Sequence, residues 1–146
     1  MAILFFADGV KKPKLKYNII NFWLSSIVLS YNSITCELNY IFCNDKYLLD
    51  INTRYLNHDF YTDVITFDYC LGNNISGDIF ISIERVKENA VIYNVNFEDE
   101  LMRVIVHGLL HLLGFNDSSI DEKGEMRKLE DELLLMLQSV EYGRFK

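Results

Sequence analysis

A chain of 146 residues, half of them hydrophobic and 14% aromatic, is long enough to bury a substantial core and too apolar to remain disordered. Its formal charge of −7 argues against a non-specific nucleic-acid binder held by many phosphate contacts, although Lys11, Lys12, Lys14 and Lys16 put four of the 14 basic residues into six positions. The longest strongly apolar stretch, residues 101–113, contains Arg103 and two histidines and is shorter than the roughly 20 residues a membrane span needs.

In chain order, residues 2–6 read as a short strand. Pro13, the only proline, suits the first turn of a helix over 14–29, whose apolar side carries Ile19, Ile20, Trp23, Leu24 and Ile27. Residues 33–43 alternate in part and read as a strand. Asn44 or Asp45 then caps a helix to about Tyr55. Residues 63–68 are rich in β-branched side chains and read as a strand. After the turn signal Gly72-Asn73-Asn74, residues 78–83 look like its antiparallel neighbour. A helix over about 84–93 follows. Asn96 caps the next helix, with Glu98, Asp99 and Glu100 in its first turn and Gly114 as its stop. A last amphipathic helix covers about 121–141, with Met126, Leu129, Leu133, Leu134 and Leu137 in its apolar stripe. The pattern predicts a single α+β (mixed α/β) domain over 1–146. A small mixed four-stranded sheet is packed with helices, one of them nearly all apolar.

Three cysteines, Cys36, Cys43 and Cys70, are odd in number and form no CxxC pair, which reads as free thiols in a reducing compartment. Residues 1–8 lack the charged start of a secretory signal, so the expected location is the cytoplasm.

The chemistry lies in His107-Gly108-Leu109-Leu110-His111, inside the apolar helix. Residues four apart share a helix face, so both imidazoles can point at one spot. A lone buried histidine is usually a hydrogen-bonded core residue. Burying two in a leucine-rich helix costs free energy unless both find partners, and a shared metal is one. Asp117, six residues past His111 and beyond Gly114, is the natural third ligand; alternatively Asp117 or Asn116 caps the last helix, in competition with Ser118, Ser119 and Asp121. Two imidazoles and a carboxylate leave a zinc ion an open position. A zinc peptidase would carry a glutamate base where this chain has Gly108, which turns the reading toward phosphodiester hydrolysis. His58, the remaining histidine, reads as a surface-loop residue.

These residues resemble the YbeY family of bacterial rRNA maturation factors, metal-dependent endoribonucleases. The family signature, roughly H-G-x-L-H-L-x-G-[YF]-D-H, is matched by residues 107–117. A second, ending P-T-D-V-L-S-F, is matched by residues 51–67, and a third, L-G-D-I, by Ser76-Gly77-Asp78-Ile79. The resemblance implies one zinc ion per chain, held by His107, His111 and position 117. It also implies single-strand cleavage in rRNA maturation (16S 3′-end processing) and ribosome quality control. The implied partners are rRNA and the small ribosomal subunit or its proteins. Three of the chain's departures from these signatures bear on the site. Asp117 replaces a histidine, and a carboxylate makes the metal less Lewis-acidic. Tyr61 replaces a proline. Leu56 replaces an arginine associated with RNA cleavage; Arg54, two residues away on another helical face, is the candidate catalytic cation beside His107. The resemblance also places Thr62-Asp63-Val64 along the site. The competing readings are a non-catalytic assembly factor with a structural metal, motivated by Leu56, and a metallopeptidase, opposed by Gly108.

Overall fold

A computed structural model describes the backbone of residues 2–57 and 62–145 and the side chains up to residue 140. His58 and Tyr61, both weighed above, lie outside the described residues. Chain order is β1 (Ala2–Ala7), α1 (Tyr17–Ser30), β2 (Ile34–Cys43), α2 (Asp45–Leu56), β3 (Val64–Asp68), β4 (Asn74–Ser82), α3 (Ile83–Ile92), α4 (Phe97–Leu112) and α5 (Ile120–Phe145).

The sheet has the order β1-β2-β4-β3. β1, β2 and β4 run parallel, and β3 pairs antiparallel with β4, Ile65 opposite Phe80 and Phe67 opposite Asp78. The fold is thus the expected mixed α/β arrangement with His107 and His111 in α4. β4 starts at Asn74 and not at Asp78, because Ile75 and Gly77 continue the inward alternation and the strand also pairs with β2 from Ile34. Pro13 does not start a helix. α1 begins at Tyr17 after Lys16, and the Tyr17 hydroxyl donates to the Pro13 carbonyl across 2.5 Å. The lysines at 11, 12, 14 and 16 lie exposed ahead of α1 and line neither cleft of the site described below.

Local signals explain most helix ends. The side chains of Asn44, Ser82 and Asn96 accept from the backbone N–H three residues on, satisfying orphan donors of α2, α3 and α4. α4 stops at Gly114, whose φ of +100° is a conformation that side-chain-bearing residues rarely adopt; its N–H donates to the His111 carbonyl. That reversal returns the chain toward α4 and brings Asp117 within reach.

The main core lies between one sheet face and α1, α4 and α5. Trp23, Leu38, Tyr40, Phe42, Ile79, Ile105 and Leu109 are fully buried there. Two buried polar tips are satisfied across elements: Trp23 Nε1 donates to the Leu133 carbonyl and the Tyr40 hydroxyl to the Ile105 carbonyl. A smaller cluster of Cys43, Leu48 and Ile65 sits beneath α2, against the other sheet face. Two glycines set how closely α4 lies on β4. A Cβ at Gly108 would stand 2.9 Å from Ile79 Cγ2, and one at Gly77 would stand 2.6 Å from the Phe67 carbonyl oxygen and 3.0 Å from Leu112.

All three thiols are free. Burial, then Asp8 and Asp45, push the Cys43 thiol from 9.0 up to about 12. Only the thiolate reacts, so iodoacetamide at pH 8 is expected to modify Cys36, to modify Cys70 more slowly because burial raises its thiol as well, and to spare Cys43 in the folded protein. Mass spectrometry after alkylation checks this; rapid labelling of Cys43 would contradict its burial. Because the folded state holds this proton more tightly than the unfolded state, Cys43 costs stability only as pH climbs past 9.0.

Candidate metal centre

α4 presents His107 and His111 one turn apart toward β3, and the loop after Gly114 carries Asp117 to them. His107 Nε2 lies 2.9 Å from His111 Nε2. Asp117 Oδ2 lies 3.3 Å from the first nitrogen and 3.5 Å from the second. Among the described residues this is the one His/Cys/Asp/Glu group with ligand atoms close enough to share an ion.

The donor atoms fit a metal. Metal–ligand bonds of about 2.0–2.2 Å in a tetrahedron place neighbouring ligand atoms roughly 3.3–3.5 Å apart, close to the spacings here. The two Nε2 atoms face each other and can share at most one hydrogen bond, whereas a cation satisfies both lone pairs and the carboxylate together. Among the described residues no further donor joins these three, the arrangement of sites where water or substrate completes the coordination.

A second layer of charge orients the first. His107 Nδ1 donates to Glu130 Oε2 across 2.6 Å, which leaves Nε2 as the free donor atom. Glu130 comes from α5, is 4% exposed, and its other oxygen accepts from Arg103 at 2.9 Å. Arg103 also reaches Asp131 at 2.6 Å. Burial alone would lower the His107 pKa; the bond and charge of Glu130, then Asp117 and Asp63, outweigh it, and the pKa is raised. Burial holds the Asp63 carboxyl above its usual range, against the pull of His107. Glu100 is raised as well, by burial and then by Asp63. The centre is therefore an acidic, partly dehydrated environment that favours cations.

The ligands lie where two clefts meet. One, of about 450 Å³, is lined by Asn52, Leu56, Thr62, Asp63, Thr66, His107, His111 and Asp117. The other, of about 370 Å³, shares Asp63, Val64, His107 and Asp117 and extends to Glu100, Lys123 and Arg127. Thr62, Asp63 and Val64 thus line the site. Leu56 lines the first cleft, with an apolar side chain in the family's arginine position. Arg54 is not brought to the ligands; it lines a separate groove.

Glu130 and Arg103 were missed by sequence reasoning, although Glu130 left a signal. Among the described residues Met126, Glu130, Leu133 and Leu137 are the buried positions of α5, at intervals of four, three and four, so Glu130 is a carboxylate inside an apolar stripe. Such a group must have a partner.

Comparisons with known proteins place the chain in a family. The family model described as Endoribonuclease YbeY matches residues 10–138. A Bacteroides fragilis protein named Endoribonuclease YbeY is 45% identical over 136 residues, 93% of this chain and 98% of the other. A Flavobacterium psychrophilum protein of the same name is 58% identical over 112 residues, 77% and 80% of the two chains. A solution structure of a Thermotoga maritima protein superposes with a TM-score of 0.64 at 29% identity, covering 94% of this chain and 93% of that one. Among the described residues no helix is long and apolar enough to cross a membrane.

Proposed function

The chain belongs to the YbeY family of endoribonucleases, and from that premise we propose that it hydrolyses single-stranded RNA at one zinc ion held by His107, His111 and Asp117. The observation that carries the reading is the convergence of Nε2, Nε2 and Oδ2 at 2.9–3.5 Å, with no fourth ligand among the described residues. The two-imidazole, one-carboxylate set is a common one for catalytic zinc. When bound, the ion supplies Lewis acidity for breaking a phosphodiester. His107 is held in the ligating tautomer by Glu130, and Asp117 balances the ion's charge. Asp63, in both clefts and held above its ordinary pKa, is placed to accept or return a proton on the substrate side. The family premise extends the reading to ribosomal RNA, with maturation of the 16S 3′ end and ribosome quality control in the cytoplasm as the proposed setting and the small subunit as partner.

The His107→Ala/His111→Ala double variant is expected to lose stoichiometric zinc and to cut a single-stranded RNA at least about 100-fold more slowly than the parent. Elemental analysis of both purified proteins, with a chelator control on cleavage, checks this. Equal zinc in the two proteins would remove the metal assignment. A second reading, an assembly factor with a structural metal, is favoured by Leu56 in the arginine position. It predicts zinc binding without zinc-dependent cleavage.

A further inference from the structure

On the sheet face turned away from α4, Phe67 and Phe80 floor a groove of about 690 Å³, walled by Tyr47, Arg54 and Tyr55 of α2 and by Tyr69 beyond β3. The rings brace one another. Tyr55 meets Phe67 edge-on at 6.2 Å, Phe67 meets Phe80 edge-on at 5.8 Å, and Tyr47 stacks near Phe80 at 6.1 Å. Yet Tyr55 is 65% exposed and Tyr69 58% exposed. A ring held by its neighbour while open to water, as Tyr55 is by Phe67, is a stacking surface that has lost part of its conformational freedom before any ligand arrives, and the open Tyr69 ring lines the same groove.

The charges of the groove indicate what would stack there. Arg54 is exposed and makes no ion pair among the described residues, while Asp50 and Asp78 are the acidic lining residues. One cation against two carboxylates does not suit a run of phosphates. It suits nucleobases, whose faces lie on the rings and whose amino and imino groups donate to carboxylates, with Arg54 meeting a single phosphate or the edge of a base.

The position of the groove ties it to the metal centre. β3 is an edge strand, paired with β4 on one side. Its alternation sends Thr66 and Asp68 into the metal cleft and Phe67 into the groove. The last turns of α2 divide in the same way, Asn52 and Leu56 to the metal and Arg54 and Tyr55 to the groove. A polynucleotide strand crossing the edge of β3 would therefore touch both. We propose that the groove binds one or two unpaired nucleobases of the RNA whose phosphodiester lies at the metal centre, with Tyr55 and Tyr69 as the stacking residues. This rests on the endoribonuclease reading above, and it gives Arg54 a substrate-binding place remote from the ligands.

The test is fluorescence anisotropy of the full-length, zinc-loaded protein with a labelled, single-stranded 2′-O-methyl phosphorothioate oligoribonucleotide that resists cleavage. Tyr55→Ala and Tyr69→Ala are each expected to weaken binding about tenfold or more, while Tyr55→Phe and Tyr69→Phe, which keep the ring, bind like the parent. An abasic oligonucleotide should bind the parent about as weakly as the alanine variants bind the normal one. Arg54→Ala should reduce the salt dependence by about one phosphate contact. On cleavable RNA the alanine variants should raise KM with kcat kept, because the bases stack equally in ground and transition states. Alanine variants that bind like the parent, or an abasic strand that binds like the normal one, would overturn the proposal while leaving the enzyme reading intact. Altered self-association with unaltered oligonucleotide binding would also overturn it and assign the groove to a protein contact. A parent protein that neither binds nor cuts RNA would remove both readings.

Discussion

Glu130→Ala is expected to destabilise the protein by about 3–5 kcal/mol and to weaken zinc binding 10- to 100-fold. Both effects have one cause. Glu130 is 4% exposed, and its two oxygens are divided between His107 Nδ1 and Arg103. Removing the carboxylate leaves Arg103, whose side chain is 18% exposed, with the more exposed Asp131 as its ion-pair partner among the described residues. It also releases the His107 ring from the tautomer that offers Nε2 to the metal. Glu130→Gln separates the two roles. The amide oxygen still accepts from Nδ1–H, so metal affinity should fall less than in the alanine variant, while the lost charge still costs stability through Arg103. Urea unfolding and competition with a zinc chelator measure the two quantities independently. Unchanged values of both in Glu130→Ala would show that α5 has no part in holding the site.

Gly108→Glu, which restores the motif of a zinc peptidase, is expected to abolish stable folding and to yield no peptidase activity. A Cβ at this position would stand 2.9–3.0 Å from the Ile79 side chain, which is itself fully buried. Overpacking of this kind costs about 1–3 kcal/mol, and a carboxylate forced into the same apolar contact adds several more. Together these approach the whole stability of a small domain. Gly108→Ala isolates the first part: about 1–3 kcal/mol of destabilisation, offset in part by the roughly 1 kcal/mol that alanine gains over glycine in a helix. Thermal unfolding of the two variants checks the argument. A Gly108→Glu protein melting like the parent would show that α4 can move off β4. The absence of the peptidase base is thus a matter of packing as well as chemistry, because the metal helix lies too close to the sheet to admit a glutamate at position 108 without displacement.

Much of the centre was legible because its parts are local. His107 and His111 share a helix face by periodicity alone, and Gly114, with φ of +100°, is the reversal that lets Asp117 return. Helix caps at Asn44 and Asn96 were readable for the same reason: one side chain meets a backbone N–H three residues on. Pro13 misled because its preference for a first helical turn does not require a helix, and here the Tyr17 hydroxyl uses its carbonyl. β4 was read too short because a glycine, Gly77, occupies an inward position where the pattern calls for a large apolar residue. The glycine is there to admit the Phe67 carbonyl and Leu112.

What the sequence by itself determined was the kind of site: two imidazoles on one face, a carboxylate past a glycine stop, no base at position 108, and the three ordered motifs of the family. These are properties of neighbours along the chain, where helical geometry fixes distance. Only the tertiary structure decided what surrounds that site. Glu130 stands 23 residues beyond His107 and Arg103 27 residues before Glu130, and no periodicity links residues on different helices. Likewise Leu56 and Arg54 are two positions apart in one helix, but the edge of β3 sends the first toward the metal and the second into an aromatic groove on the other side of the sheet. Which side a residue faces depends on where the sheet ends, and that is settled by strand order.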